Sequence, residues 1–322
     1  MEPALEIEHR FIPTNGIKMH VAVAGQGPLV LLCHGWPESW YSWRHQLKAL
    51  AEAGYCAVAP DMRGYGQTDK PDSIDQYTLL HLTGDMVGLV DALGFKDAVI
   101  VGHDWGAPVA WHSALFRPDK FKAVAGLSVP FRPRGEAAPT TLMPQTDKAV
   151  FYQLYFQEPG VAEAEFEQDP KRLVSAMLFG LSTDPVSVMM VPREGGWLST
   201  INLPGGNPPS WISEADVDFY ANELKRAGFR GGLNWYRNVD RNWSLLAPWA
   251  GAKVSVPALY IAGDRDPVVR FPGMDKLIPN LHQFVPQLRK TIMFPGCGHW
   301  TQQERPDEVN AALIEFLREV QR

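Results

Sequence analysis

The sequence predicts an α/β fold: a mostly parallel sheet flanked by helices, with an inserted helical cap. Three observations predict it. Apolar strand-like runs alternate with helical patterns over residues 29–129, the rhythm of parallel strands joined by crossover helices. The rhythm breaks over residues 136–246, which have helical patterns, no clear strands, and many Trp, Tyr, Phe and Met residues. It resumes at Pro257 and ends in an amphipathic helix. Residues 1–135 and 247–322 are therefore assigned to the sheet-based core and residues 136–246 to the cap. A chain of 322 residues has room for one large domain with such an insertion.

The elements follow in order. Residues 6–24 read as a hairpin, because Asn15-Gly16 separates two apolar stretches and Asn-Gly is the strongest short hairpin signal. Leu29–Cys33 is a buried strand ending in a loop. Trp43–Ala53 is helical, Tyr55–Pro60 is a strand, and Asp61-Met62-Arg63-Gly64-Tyr65-Gly66 is a loop. Tyr77–Leu93 carries one apolar stripe and reads as a helix. Ala98–Val101 is a strand, followed by a tight turn and another helix, and Phe121–Val129 closes the first half. Pro130–Gly135 is a linker. Within the cap, Leu203–Ser210 is an irregular Gly/Pro stretch. Pro257–Ala262 and Thr291–Phe294 are strands, and Val309–Val320 is the closing helix.

Composition excludes several classes. Apolar residues make up 45% and charged residues 20%, ordinary for a soluble globular protein. A net charge of −6 argues against nucleic acid or an anionic membrane as partner. No apolar stretch is long enough to cross a membrane, and Met1–Glu6 has none of the features of a signal peptide. Cys33, Cys56 and Cys297 show neither pairing nor metal spacing, so reduced thiols and a cytoplasmic location are expected. No metal or cofactor is expected. No oligomeric state is read from the sequence. Eleven Trp residues point to an aromatic-lined cavity as well as a core.

The chemistry centres on Gly102-His103-Asp104-Trp105-Gly106, which follows the Ala98 strand. Small-x-nucleophile-x-small between strand and helix is the pattern of a nucleophile elbow. Here the raised residue is a carboxylate. It needs no base, attacks an sp³ carbon, and leaves an ester that a second step must hydrolyse. His299, in Gly296-Cys297-Gly298-His299-Trp300 after the last strand, is the expected general base. A lone histidine is usually structural, but elbow-bearing sheets run in the order nucleophile, acid, histidine. The acid comes from Asp264-Arg265-Asp266-Pro267; Asp266 is favoured, while Asp264 lies nearer the strand end, where a turn cap is expected. Asp-x-Asp also mimics a metal motif, yet no third ligand cluster accompanies it.

The loop His34-Gly35-Trp36-Pro37-Glu38 leaves the strand that precedes it where an oxyanion hole is built. The backbone N–H groups of Trp36 and Trp105 are its expected donors, and Trp36-Pro37 is a place for a cis bond. In the cap, Tyr152 and Tyr236 read either as half-buried aromatics or as acids for a leaving alkoxide, since a phenol donates one proton without carrying charge.

Together these residues resemble the soluble epoxide hydrolases of the α/β-hydrolase superfamily, over nearly the whole chain. The resemblance is densest at His34–Trp43, Gly102–Gly106, Tyr152–Glu165, Gly228–Trp243 and Cys297–Gln302. It implies an α/β-hydrolase fold with an eight-stranded sheet and a catalytic triad. It also implies that Asp104 opens a small apolar or aromatic epoxide, that Tyr152 and Tyr236 protonate its oxygen, and that His299, oriented by Asp266, activates water. The product implied is a vicinal diol. Tyr155 stands one turn from Tyr152, but Tyr152 matches the family's proton donor. Val150-Phe151 departs from the family pattern of an aromatic then an acid. A haloalkane dehalogenase shares the fold and Asp nucleophile, but such enzymes carry Asn where Trp36 stands and lack the tyrosine pair. Fluoroacetate dehalogenases carry Arg where Trp105 stands. A non-catalytic receptor on this scaffold would have no need of the full constellation, and a serine esterase needs Ser at position 104.

Overall fold

Asn15 and Gly16 both take positive φ, 45° and 77°, as a two-residue hairpin turn requires. They join strands β1 (Glu8–Thr14) and β2 (Ile17–Ala24), paired antiparallel with Thr14 opposite Ile17. The structure is a computed structural model that describes residues 6–183, 189–199 and 209–321. The N-terminal residues 1–5 and most of the predicted irregular stretch, residues 203–208, lie outside the described residues.

The chain continues through β3 (Leu29–Cys33), α1 (Arg44–Glu52), β4 (Cys56–Pro60), α2 (Leu79–Ala92), β5 (Ala98–His103), α3 (Gly106–Phe116) and β6 (Phe121–Leu127). Every residue of β3, β4 and β5 is buried, which is why they read as unbroken apolar runs instead of alternating ones. Next come α4 (Pro139–Leu142), β7 (Ala149–Phe151), α5 (Tyr152–Tyr155), α6 (Val161–Phe166), α7 (Pro170–Thr183), β8 (Met190–Pro192), α8 (Glu214–Ala227), α9 (Arg230–Arg237) and α10 (Val239–Leu245). The last part holds β9 (Ala258–Gly263), α11 (Met274–Leu277), β10 (Leu288–Phe294), α12 (Thr301–Glu304) and α13 (Pro306–Val320).

Eight strands form one sheet in the order β1-β2-β4-β3-β5-β6-β9-β10. All pairs from β4 through β10 are parallel, and only β1–β2 and β2–β4 are antiparallel. Buried side chains pack on both faces of the sheet as two clusters. The predicted fold class therefore holds.

Three predicted details do not. The 136–246 segment was expected to lack strands, yet β7 and β8 pair antiparallel, Ala149 with Pro192 and Phe151 with Met190. Three-residue strands are too short to show a period, and their partners lie far apart in sequence. β10 begins at Leu288, ahead of the predicted Thr291, because Arg289 and Lys290 are exposed on an edge strand where charge is favoured. β6 stops at Leu127 because Ser128 turns the chain with φ 70°.

The segment between β6 and β9 is bonded to the sheet-bearing part at several points. Trp235 Nε1 donates to the Arg63 carbonyl at 3.0 Å, the Tyr41 hydroxyl to Asp216 at 2.8 Å, and Trp300 Nε1 to the Met177 carbonyl at 3.3 Å.

Crowding at the end of β5 is severe. A Cβ on Gly102 would lie 2.0 Å from the Gly106 carbonyl oxygen, and one on Gly106 would lie 2.0 Å from that of Cys33. Strand, turn and helix thus meet backbone to backbone, which only glycine permits. A Gly102→Ala protein is expected to lose about 2 kcal/mol or more of stability, from overpacking against backbone that cannot yield. Thermal denaturation reads this directly: an unchanged Tm would show that the turn can relax.

Candidate active site

The elbow strains its central residue. Asp104 has φ 50°, a left-handed value for a residue with a side chain, and it stands between the end of β5 and the first turn of α3. The turn lifts the carboxylate off the C-terminal end of β5, an interior strand, where three segments converge on it. From the loop after β3, the Trp36 N–H donates to Asp104 Oδ1 at 2.8 Å. The Trp36-Pro37 bond in this loop is cis. From the loop after β10, His299 Nε2 stands 3.6 Å from Asp104 Oδ2, a charge contact rather than a hydrogen bond. From the turn after β9, Asp266 Oδ1 lies 2.9 Å from His299 Nδ1.

Asp266 is fully buried and His299 is 3% exposed, so their pairing is shielded from water. Asp266 also caps its own turn, accepting from the Val268 N–H at 2.9 Å. The cap expected of Asp264 is thus supplied by Asp266. Asp264 instead accepts from the Gly296 N–H at 2.8 Å, on the exposed side of the loop. Of the two expected oxyanion donors, the structure bonds Trp36 to the carboxylate. Trp105 heads α3, with no bond from its amide to Asp104 among the described residues.

Burial works to push His299 down, but the charges of Asp266 and Asp104 outweigh it and hold the imidazole well above its ordinary pKa. Burial likewise works to raise Asp104, but the neighbouring His299, then His103 and the Trp36 amide, hold its carboxyl below the usual range. The two directions together favour a carboxylate beside an imidazolium.

Tyr152, at the start of α5, and Tyr236, in α9, come together from opposite ends of the inserted segment, ring centroids 5.9 Å apart. Both line one small space of about 30 Å³ with Asp104, His299 and Trp36. Burial pushes both phenols above their ordinary pKa, so each stays protonated through the neutral range. Tyr155, the rival of Tyr152, donates its hydroxyl to Glu165 at 2.7 Å and does not line either space around Asp104. A second cavity of about 550 Å³ opens from Asp104 and Tyr152, walled by apolar groups such as Trp105, Phe131, Leu142 and Phe271. Asp104 is the only acid among the described residues that line it.

Several supporting residues escaped the sequence reading. His103 bonds Glu38 through Nδ1 at 2.9 Å and the His299 carbonyl through Nε2 at 2.8 Å, tying the His299 loop to the Trp36 loop. Glu38 also accepts from the Gly35 N–H, Gln302 and Gln303. Ser128 Oγ lies 3.2 Å from His299 Nδ1. The position of His103 directly before the nucleophile was the available signal. The glutamines and Ser128 carry none. Gln153 Nε2 donates to the Tyr152 hydroxyl at 3.0 Å. Gln157 Nε2 donates both to the Gln153 carbonyl at 2.8 Å and to the Tyr236 carbonyl at 3.0 Å, so one amide links the two tyrosine-bearing segments.

A parallel sheet with an elbow, an acid after one strand and a histidine after the next defines an α/β hydrolase, here with a carboxylate at the elbow. A family model described as the alpha/beta hydrolase fold matches residues 28–306. Epoxide hydrolase A of Mycobacterium tuberculosis is 46% identical over 315 residues, 96% of each chain. A crystal structure of epoxide hydrolase A from Mycobacterium thermoresistibile superposes with a TM-score of 0.91 at 45% identity, over 97% of this chain and 98% of that one. An epoxide hydrolase from an endophytic Streptomyces gives 0.94 at 45% identity, over 99% and 97%. The chain belongs to the epoxide hydrolase family of the α/β hydrolases.

Proposed function

We propose that the protein converts an epoxide and water to a vicinal diol through an ester on Asp104. The observation that carries the reading is the pair of buried phenols sharing one small space with a carboxylate bonded by an amide and facing a histidine. In this reading residues 136–246 form the cap, which supplies the acids, and the core supplies nucleophile and base.

The geometry divides the labour between the two carboxylate oxygens. Oδ1 is occupied by the Trp36 amide, so Oδ2 attacks the epoxide carbon. The C–O bond breaks toward the ring oxygen, which takes a proton from the tyrosine pair. The ester carbonyl oxygen is then Oδ1, already in place for stabilisation by Trp36 and, as it turns tetrahedral, by the amide of Trp105 at the head of α3. Alkylation also neutralises Asp104. That removes one of the charges that favour the protonated form of His299, so the imidazolium releases its proton to solvent and the neutral imidazole becomes the base that activates water. Water attacks the ester carbonyl, and the diol leaves.

Aromatic and apolar cavity walls support a small apolar or aromatic epoxide as substrate. Three free, buried cysteines support a reducing, cytoplasmic setting. The test is turnover of styrene oxide to its diol, set beside halide release from a bromoalkane. Diol without halide is the expected result. Halide release as the faster reaction would replace this reading with a dehalogenase, since a halide needs no proton. Binding of the epoxide with neither product would leave a receptor.

The pH dependence should split by step. Alkylation needs ionised Asp104, whose pKa is depressed, so it persists into mild acid. Ester hydrolysis needs neutral His299, and it slows as pH falls through the imidazole pKa of the ester form. Quenched samples analysed by mass spectrometry should hold more ester at pH 5 than at pH 8. An equal ester fraction at both would assign the base elsewhere.

A further inference from the structure

The mechanism above leaves a charge to account for. When Tyr152 gives up its proton, an oxyanion remains on a phenol that burial already holds well above its ordinary pKa. Among the described residues no cation is bonded to the Tyr152 hydroxyl; the Gln153 side-chain amide donates to it through Nε2 at 3.0 Å, and the Tyr236 hydroxyl interacts with it as well. A phenol has one hydrogen and two lone pairs. With one lone pair occupied by Gln153, the hydroxyl hydrogen is directed elsewhere, and Tyr152 lines the space that holds Asp104. Loss of that hydrogen turns a neutral hydrogen bond into a charge-assisted one, which is shorter and stronger. The bond thus strengthens in the transition state, the condition for speeding chemistry and not merely binding.

Gln153 is itself held. Its carbonyl accepts from Gln157, which also bonds the Tyr236 carbonyl. Tyr236 is supported differently: the Trp105 indole lies edge-on at 5.2 Å and favours loss of its proton.

We propose that Gln153 is the positioning residue for Tyr152, aiming its proton at the epoxide oxygen and stabilising the phenolate that ring opening leaves. The inference rests on the epoxide-opening reading. In the balanced sequence, Asp104 Oδ2 forms a bond to carbon as the ring C–O bond breaks. The ring oxygen takes its electron pair and the Tyr152 proton. Water later supplies two protons, one through His299 to the departing diol oxygen and one that restores Tyr152.

The experiment compares wild type, Gln153→Leu, Tyr152→Phe and the double variant with styrene oxide in single-turnover, rapid-quench mode, reading alkylation and ester hydrolysis separately. Gln153→Leu should slow alkylation about 10-fold. Ester hydrolysis should stay within about 2-fold, and the substitution should have no further effect in the Tyr152→Phe background. An unchanged alkylation rate would overturn the proposal. So would an equal loss with or without the Tyr152 hydroxyl, or an equal slowing of both steps, since each describes a packing role. Gln153→Glu covers the case in which leucine disturbs the fold. Its carboxylate competes for the phenol proton, so alkylation should be slow at neutral pH and recover as the glutamate is protonated. A flat profile would also overturn it. If wild type forms neither adduct nor diol, the epoxide reading itself fails instead.

Discussion

In a His299→Gln protein, epoxide addition should yield one covalent adduct and almost no diol. The adduct should sit on the peptide containing Asp104, at one substrate equivalent per chain. Alkylation draws on the Asp104 carboxylate, the Trp36 amide and the two phenols, none of which the substitution removes. The second step loses its base, and diol turnover should fall about 10²- to 10⁴-fold. Glutamine keeps a polar side chain beside Asp266, which limits damage to the buried site. Intact-protein mass spectrometry followed by peptide mapping checks this. Unmodified protein with no diol would sink the two-step mechanism, because it would place His299 in the first step.

The second large effect is expected from the tyrosine pair. Tyr152→Phe and Tyr236→Phe should each slow ring opening by about 10- to 100-fold, and the double variant by about 1,000-fold or more. The two donors share one acceptor oxygen, so the losses should not simply add. Phenylalanine keeps the packing that both rings make with Phe156, at 5.5 and 4.9 Å, so the fold should survive. Single-turnover alkylation is the measurement. A double variant that still alkylates at the wild-type rate would show that the epoxide opens without an acid.

Much of this site was legible before any coordinates. The elbow announces itself because its glycines are forced by backbone contact, so Gly102 and Gly106 are visible as letters. His299 and Asp266 were readable because chain order stands in for position in this sheet. What escaped has a common cause. Glu38, His103, Ser128 and Gln157 act by meeting partners far away in sequence, Gln153 bonds its own neighbour Tyr152, and glutamine or serine in a helix or loop has no period to betray it. The β7–β8 pair escaped for want of length, and the β10 start for its exposed charges. Tyr152 and Tyr236 fell between. Their residue type suited an acid, but only the resemblance singled them out from nine tyrosines.

The pairing of β6 with β9, Val124 beside Ala258, has a consequence for how the protein comes into being. Asp104, Trp36, Tyr152 and Tyr236 are all encoded before β9; Asp266 and His299 are encoded after it. In the proposed mechanism, a chain that stopped short would carry the residue that is alkylated without the pair that clears it. The edge of β6 that pairs with β9 would also lie bare. The same two last strands, β9 and β10, thus complete the sheet and carry the acid and base of the proposed cycle.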